Sequence, residues 1–146
     1  LAHKVLFTGM IDQYYDYCYG ELEYRSLSFD HQLLDTDNFQ GNAVVNYTDG
    51  DVAYTRIIEH KHFEFTKSDQ TVITYEYPED YEAGLEPYYP INDEDNNKKY
   101  AKYEQLAQKE ASVIFGGRLA KYKYYDMHHI VENALTLVKE EFNEER

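Results

Sequence analysis

Two arginines in this acidic chain stand where they could bind an anionic ligand. Arg56 lies within an apolar stretch, between Thr55 and Ile57, that reads as a strand. A guanidinium inside such a stretch needs a carboxylate or a phosphate beside it, because burying the charge unpaired is costly. An ion pair with one of the chain's acids and a contact with a bound anion explain Arg56 about equally well.

The second arginine, Arg118, follows a glycine pair in the segment 116–129, GGRLAKYKYYDMHH. The segment combines a strand end, a glycine turn, a tyrosine-rich link and a predicted helix start, where Asp126 takes the N-cap position. A helix N-terminus presents unpaired N–H groups and a partial positive charge, which can bind an anion or an electron-rich carbonyl. An ordinary capped helix with Arg118 in a surface ion pair explains the same spacing more simply.

A third candidate is the segment 86–91, EPYYPI. Pro87 and Pro90 restrict the backbone on either side of Tyr88 and Tyr89, so the two rings are held at low entropic cost. A rigid aromatic group in a long loop suits contact with a ligand. The alternative is that the tyrosines anchor the loop in the core.

The sequence gives no metal site. His60 and His62 would share one face of a strand, but no third ligand accompanies them, so a hydrogen-bonded histidine pair is the preferred interpretation. Cys18 is the single cysteine, which excludes an internal disulfide and a cysteine-based zinc site. The acidic run 92–95 lacks the ligand spacing of a calcium loop and is predicted to be a solvated loop.

Composition excludes several classes of function. The chain has 28 acidic and 14 basic residues and a net charge of −14, which repels nucleic acid at long range. It contains no run of eighteen apolar residues, so the sequence predicts no membrane span. The lone cysteine fits a reducing cytoplasm, which is the expected location. The 17 tyrosines favour an aromatic sheet core over a ligand pocket.

Strands and helices must position these groups. Short turns between strands, including Asp49-Gly50-Asp51, predict an antiparallel sheet with a hairpin over residues 43–60. Pro78 is predicted to end the last strand of this sheet. The predicted strands are Lys4–Thr8 (buried), Leu22–Phe29, Ala43–Thr48, Val52–His60 and Thr71–Tyr77.

Two helices follow a long predicted loop over residues 78–97. Asn96 is predicted to cap the first helix, over about 98–111. After a short strand at 112–115, the second helix runs from about Asp126 to Phe142, with apolar residues at helical spacing. The prediction is an α+β fold: an antiparallel sheet of about five or six strands with two main helices, the C-terminal one packed beside the sheet.

Six segments of the chain together resemble the UDP-galactopyranose mutases, where they occur in the same order. Any one of them is weak, but six in order with compatible spacing are specific, and the match runs from about Val5 to Phe142. On this resemblance the chain is identified as a C-terminal fragment of a member of that family. The segments are TGMIDQYYDYCYG (8–20), YRSL (24–27), QGNAVVNY (40–47), YTRIIEHKHF (54–63), PYYPI (87–91) and GRLAKYKYYDM (117–127).

The resemblance implies an isomerase that interconverts UDP-galactopyranose and UDP-galactofuranose. The family uses reduced FAD, whose N5 atom forms a covalent adduct with the sugar, so no protein nucleophile is needed. It implies that residues 1–20 end the FAD-domain layer and that residues 21–91 form the substrate-binding sheet. Residues 92–146, with the C-terminal helix, would return to the FAD-domain layer.

The resemblance also assigns roles to single residues. Arg56 resembles the arginine that contacts the UDP diphosphate, and Tyr89 and Tyr124 resemble tyrosines that bind the phosphates and line the sugar site. Asp126 resembles a carboxylate near the sugar and the flavin, and Asn46 an asparagine close to the sugar. The implied flavin contacts are Arg118, beside the ring, and the helix start at its pyrimidine end, Tyr125, Asp126, Met127 and His128. No role is implied for His129.

The chain also departs from the family. The glycine-rich loop that holds the FAD pyrophosphate, the helical segment that stacks the uracil and the mobile lid arginine are absent from these 146 residues. We therefore expect the chain to lack bound FAD and to be inactive alone, with an apolar patch where the missing layers pack. Whether it forms a homo-oligomer stays open. The alternative is a non-catalytic sugar- or protein-binding domain derived from the same sheet.

One set of residues discriminates between these two hypotheses. A binding domain would have little reason to keep the diphosphate and flavin groups together, and their joint presence favours the enzyme fragment. The set is Arg56, Tyr89, Arg118, Tyr124 and Asp126.

Overall fold

The structure, a computed structural model, describes residues 3–143. The outer limits of the predicted domains, at residues 1 and 146, lie outside that range. The described chain divides into two compact units. The inserted unit is Ser26–Glu86, and the discontinuous unit comprises the chain up to Arg25 and from Pro87 onward.

The discontinuous unit contains most of the helical structure. Strands β1 and β7 pair in parallel, with Val5 opposite Val113 and Phe7 opposite Phe115. Its elements in chain order are β1 (Val5–Phe7), α1 (Ile11–Tyr14), the first two residues of β2 (Tyr24–Leu34), β6 (Tyr89–Pro90), α2 (Glu94–Ala107), β7 (Val113–Phe115), α3 (Gly117–Ala120) and α4 (Met127–Asn143).

The inserted unit is mainly β-structure. It contains the rest of β2, β3 (Val44–Asn46), β4 (Arg56–Glu59), a 3₁₀ turn (His60–His62) and β5 (Thr71–Asp80). The strand order of the antiparallel sheet is β3-β4-β5-β2-β6. The predicted α+β class is confirmed, as is the hairpin, because β3 and β4 pair antiparallel with Val44 opposite Ile58.

The predictions for the end of β5 and for the burial of β1 were wrong. Pro78 does not end β5, which continues to Asp80. The register with β4 ends at Glu76, so the missing N–H of Pro78 interrupts no bond of that ladder. Strand β1 was predicted to be buried, yet Val5 and Leu6 are each 54% exposed. Paired parallel strands are normally covered on both faces. In β1, by contrast, the described residues leave about half of Val5 and of Leu6 exposed.

Helix α2 is anchored by a buried tyrosine. The Tyr103 ring is fully buried, and its hydroxyl accepts from the Tyr19 N–H and donates to the Gly20 carbonyl. The prediction that Asn96 caps this helix was wrong. Asp93 caps the helix by accepting from the Asn96 N–H at 2.8 Å, while the Asn96 side chain accepts from the Glu23 N–H.

The predicted loop over 78–97 is not structureless. Tyr89 and Pro90 form β6, which pairs with the start of β2, with Arg25 opposite Tyr89 and Tyr24 opposite Pro90. Pro90 lacks an N–H but lies on the edge strand of the sheet, where the ladder tolerates proline.

Helix α4 begins at Met127, close to the predicted start. Ile130 and Leu137 are half-buried, and the helix contacts α3. A second apolar stripe faces solvent, including Met127 at 85% exposure. This exposed stripe comprises Met127, Val131, Leu135, Val138 and Phe142.

No helix within residues 3–143 is both long and apolar enough to cross a membrane.

A buried carboxylate organises the inserted unit. Glu59 is fully buried, and its two oxygens accept from the backbone N–H groups of Phe39 and Gln40 and from the Thr71 hydroxyl. Burial by itself raises the pKa of Glu59, but these donors and the neighbouring His62 outweigh it and lower the pKa from 4.5 to about 2. Glu59 therefore stays ionised and ties the 39–40 turn to β4 and β5.

The histidines were predicted on one face of a strand, which is wrong. They lie in the 3₁₀ turn after β4. The His60 ring bonds the Thr74 hydroxyl at 2.6 Å, and His62 Nε2 lies 3.0 Å from Glu59 Oε2. Their partners thus belong to the core of the inserted unit.

We predict that Glu59 makes this unit sensitive to acid. Because its folded pKa is lowered, its contribution is complete above about pH 4.5 and is lost as the pH falls towards 2. A pKa change of this size corresponds to on the order of 3 kcal/mol. Urea unfolding from pH 6 to pH 2.5 should show a stability loss in the wild type that is smaller in Glu59→Gln. The exposed Glu64→Gln is the matched control, and equal pH profiles for all three proteins would contradict the assignment.

Candidate functional site

The predicted site residues fall into two clusters, one in each unit. In the inserted unit, β4 and β3 place Arg56 directly opposite Asn46. Arg56 Nε donates to Asn46 Oδ1 at 2.9 Å, so the structure brings together two residues that are ten positions apart in sequence. The register puts Glu76 of β5 opposite Arg56 on its other side.

The ion pair between Arg56 and Glu76 is loose. Arg56 Nη1 lies 3.5 Å from Glu76 Oε2, and the Arg56 side chain is 38% exposed whereas Glu76 is largely buried. Glu76 Oε1 also accepts from the Thr55 hydroxyl at 3.1 Å. The carboxylate that orients Arg56 is therefore shared with another donor.

This geometry leaves Arg56 able to bind an anion. A guanidinium carries five N–H donors, and its hydrogen bonds among the described residues use two of them. One of these partners is the neutral amide of Asn46. Both the ion-pair interpretation and the anion-binding interpretation of Arg56 thus keep a structural basis.

In the discontinuous unit, a glycine turn after β7 presents Arg118. Gly117 has φ +80°, a conformation that favours glycine, and a Cβ there would lie 3.5 Å from Thr8 Cβ. The short helix α3 then carries Arg118 as its second residue. The backbone therefore requires a glycine at position 117, the second residue of the glycine pair.

Arg118 lies against two tyrosine rings. Its guanidinium carbon is 5.3 Å from the Tyr89 ring centroid and 5.8 Å from that of Tyr124. The two rings stack on each other at 5.3 Å with an interplanar angle of 28°. The predicted substrate residues Tyr89 and Tyr124 and the predicted flavin residue Arg118 thus form one cluster.

Polar bonds complete this cluster. Arg118 Nη1 donates to the Tyr88 carbonyl at 3.2 Å, and Nη2 donates to the Tyr125 carbonyl at 2.9 Å. These bonds replace the surface ion pair that was the simpler expectation for Arg118. Arg118 Nε is buried and finds no hydrogen-bond partner within residues 3–143.

The start of α4 is open to solvent. Tyr124 is 60% exposed, and Asp126, Met127 and His128 are also exposed. The Asp126 carbonyl accepts from the Ile130 N–H, so Asp126 stands directly before the first helical residue, where a cap was predicted. Exposed aromatic and apolar side chains beside a helix N-terminus, whose first N–H groups have no partner within the helix, suit a planar polar ligand.

A group that the sequence did not single out is Asp126, His128 and His129. Their ligand atoms lie within 4.8 Å of one another, and all three side chains are exposed. The ligand atoms of a tetrahedral zinc site are closer, at about 3.3 Å, given Zn–N bonds of about 2.0–2.1 Å. The adjacent histidines were visible in the sequence, but their spacing matches no metal motif.

The discontinuous unit also has a cavity of about 300 Å³ between α2, β7 and α4. Its walls include Tyr100, Val113 and Leu137, and none of the predicted site residues lines it. The candidate site is therefore an open surface and not this cavity.

Comparison with known proteins identifies the family. The sequence profile of the UDP-galactopyranose mutase family matches residues 1–124, which include both clusters up to Tyr124. The chain belongs to the UDP-galactopyranose mutase family. The resemblance seen in its six segments is thereby confirmed.

Individual mutases agree with this assignment. The chain is 40% identical over 140 residues to a probable UDP-galactopyranose mutase of Klebsiella pneumoniae, covering 95% of this chain and 36% of that protein. It is 36% identical over 141 residues to the UDP-galactopyranose mutase of Mycoplasma pneumoniae, covering 92% and 35%. It is 39% identical over 132 residues to the dTDP-fucopyranose mutase of Escherichia coli, covering 90% and 35%. The chain thus spans about a third of the length of these curated mutases.

We predict that Arg56 contributes little to folding. Arg56→Ala should lower the free energy of unfolding by less than about 1 kcal/mol, because its ion pair is long and partly exposed. Urea denaturation of the chain measures this directly.

Lys61 provides the matched control in the same unit. Its ammonium donates to the carbonyls of Asp37, Ser68 and Gln70, so Lys61→Ala should cost more, about 1–3 kcal/mol. A larger loss for Arg56→Ala than for Lys61→Ala would make Arg56 a structural residue.

Proposed function

We propose that this chain is one wall of the active site of a UDP-galactopyranose mutase, and that it is inactive without the rest of the enzyme. The reaction would interconvert UDP-galactopyranose and UDP-galactofuranose. The observation that carries this proposal is the cluster of Arg118, Tyr89 and Tyr124 in a chain of this family.

Arg56 is proposed to bind the UDP diphosphate. A planar guanidinium makes paired, charge-assisted hydrogen bonds to phosphate oxygens, and these strengthen as negative charge develops on the departing UDP. Asn46 fixes the orientation of Arg56 through Nε, and we place it close to the sugar. The loose contact with Glu76 supports this role, because a tight ion pair would compete with the diphosphate.

Tyr89 and Tyr124 are proposed to bind the phosphates and to line the sugar site. The exposed Tyr124 ring can contact the sugar, while its stacking on Tyr89 restricts its motion. Asp126 is proposed to lie near the sugar and the flavin. Its exposed carboxylate can accept hydrogen bonds from sugar hydroxyls.

The residues at the start of α4 fit one edge of a flavin ring. The helix N-terminus stabilises negative charge, and the exposed Met127 offers an apolar surface for the ring. We propose that Tyr125, Asp126, Met127 and His128 hold the pyrimidine end and that Arg118 lies beside the ring. When bound, reduced FAD would supply the electron pair that displaces UDP from the sugar.

The domain arrangement is part of the proposal. We place residues 1–20 and 92–146 in the FAD-domain layer and residues 21–91 in the substrate-binding sheet. Support comes from the exposed stripe of α4 and from the uncovered parallel strand β1, since both surfaces are normally packed in a complete α/β layer. Their occupant would be the two thirds of the polypeptide that the curated mutases have and this chain lacks.

The nucleotide and sugar need a separate test. The Escherichia coli relative is a dTDP-fucopyranose mutase, and its substrate shares the diphosphate and the six-membered sugar ring with UDP-galactopyranose. Arg56, Tyr89 and Tyr124 suit those shared groups. We favour the uridine substrate on the family match and propose a cytoplasmic enzyme, in keeping with the single cysteine.

We predict that a chimera will carry mutase activity. This chain would replace the matched third of the Klebsiella pneumoniae mutase, and the chimera would be assayed with reduced FAD. Arg56→Ala should lower turnover by at least about 100-fold, the usual cost of losing one donor to developing charge. Arg56→Lys should also be poor, because the planar fork is lost.

The exposed Lys67→Ala serves as the matched control for loss of a cation, and flavin content checks that each chimera folds. UDP-galactopyranose and dTDP-fucopyranose are assayed side by side, and preference for the second would revise the substrate. A folded, flavin-containing chimera whose Arg56→Ala variant keeps full activity would remove Arg56 from the site. A folded chimera inactive on both sugars would favour a non-catalytic binding domain.

We also predict that the chain alone binds FAD poorly or not at all, because it has no glycine-rich pyrophosphate loop. After incubation with FAD and gel filtration, the protein peak should show no stoichiometric flavin absorbance. Tight, stoichiometric binding by the isolated chain would contradict this division of the site.

A further inference from the structure

Arg118 connects the two segments that carry the candidate tyrosines. Tyr89 is on β6, and Tyr124 lies in the link between α3 and α4. Arg118 donates to the carbonyl of Tyr88, which adjoins the first tyrosine, and to the carbonyl of Tyr125, which adjoins the second. One guanidinium thus donates hydrogen bonds to the backbone of both segments, next to the tyrosines Tyr89 and Tyr124.

The same guanidinium contacts the side chains of these segments. Its carbon and the two ring centroids form a triangle with sides of 5.3, 5.8 and 5.3 Å. A cation at these distances is attracted by both aromatic faces. The backbone contacts at Tyr88 and Tyr125 and the ring contacts at Tyr89 and Tyr124 therefore act on the same two segments.

From this geometry we propose that Arg118 is a positioning residue, which sets the Tyr89–Tyr124 pair for the diphosphate sugar. Each terminal nitrogen already donates to a carbonyl of the chain, and Nε is buried. Arg118 acts on the substrate through the two tyrosines, in addition to any contact with the flavin. This inference rests on the proposed function of those tyrosines.

Only arginine can make this set of contacts. Its planar group has donors in fixed, divergent directions and a flat face that stacks on rings. A lysine ammonium is a compact point charge on a flexible stem, so it can stay near one ring without holding both carbonyls. The Arg118→Lys variant should therefore behave like a loss of the connection, although it keeps the charge.

The test uses nuclear magnetic resonance of the complete chain labelled at its tyrosine rings. Tyr89→Phe and Tyr124→Phe assign the two resonances. The wild type should show a ring–ring cross-peak between Tyr89 and Tyr124. In Arg118→Ala and Arg118→Lys this cross-peak should be lost, and both resonances should move towards their unfolded positions.

Two controls separate a local effect from unfolding. The cross-peak between Tyr24 and Tyr122, whose centroids are 5.4 Å apart in the same unit, should persist in every variant. Lys123→Ala removes an exposed cation from the same link and should leave the Tyr89–Tyr124 cross-peak unchanged. Added guanidinium chloride, below denaturing concentration, should restore the cross-peak in Arg118→Ala, whereas sodium chloride should not.

A Tyr89–Tyr124 cross-peak that survives in Arg118→Ala would overturn the positioning role, as would its absence from the wild type. Substrate binding is then measured by UDP titration of the active chimera and its Arg118 variants. Weaker UDP binding that guanidinium restores supports the role at the diphosphate. If the cross-peak depends on Arg118 but UDP affinity does not, the connection stands and the assignment of the tyrosines to UDP fails.

Discussion

Both arginine clusters depend on how the arginine charge is held in a strongly acidic protein. Arg118 is held by two backbone carbonyls and two aromatic rings, and Arg56 by an amide oxygen and a long contact with a shared carboxylate. The carbonyls and rings orient Arg118 without a negative charge, and the carboxylate beside Arg56 is 3.5 Å away and shared with Thr55. This arrangement is the basis for our proposal that Arg56 binds an anion, although the net charge of the chain is −14.

Backbone structure positions both arginines. Strand pairing sets Arg56 opposite Asn46, and a glycine with positive φ at the first position of α3, Gly117, precedes Arg118. Buried polar groups hold the scaffold itself: Glu59 gathers donors in the inserted unit, and the Tyr103 hydroxyl bridges the chain near Gly20 in the other. Each unit thus contains a buried polar group that is separate from the candidate ligand contacts.

Sequence patterns predicted much of this fold because local signals dominate it. The hairpin around Asp49-Gly50-Asp51 and the periodic helix α4 needed no tertiary information. The failures have tertiary causes. Asn96 has the right chemistry for a cap, but its side chain accepts a hydrogen bond from the Glu23 N–H. Asp93 caps the helix instead. The strand continues through Pro78, which lies beyond the end of the β4–β5 register at Glu76. Helices α1 and α3 are single turns too short for a periodic signal.

The sequence indicated which residues could belong to the candidate site, but not which of them contact one another. The family resemblance implied that Arg118, Tyr89 and Tyr124 are ligand contacts, whereas the structure shows that they contact one another. No spacing rule joins residues 89 and 118, since β6 and α3 meet only in the folded unit. The exposed stripe of α4 is the converse case. Its apolar residues were visible in the sequence at helical spacing, but the described residues do not cover them.

The most direct test of the account is a crystal structure of the Klebsiella pneumoniae chimera with UDP and reduced FAD. We predict Arg56 nitrogens at about 2.7–2.9 Å from diphosphate oxygens, with Tyr124 and Asp126 beside the sugar position. We also predict that the remaining two thirds of the enzyme cover α4 and β1. A diphosphate bound away from Arg56, or a stripe on α4 that stays open to solvent, would contradict it.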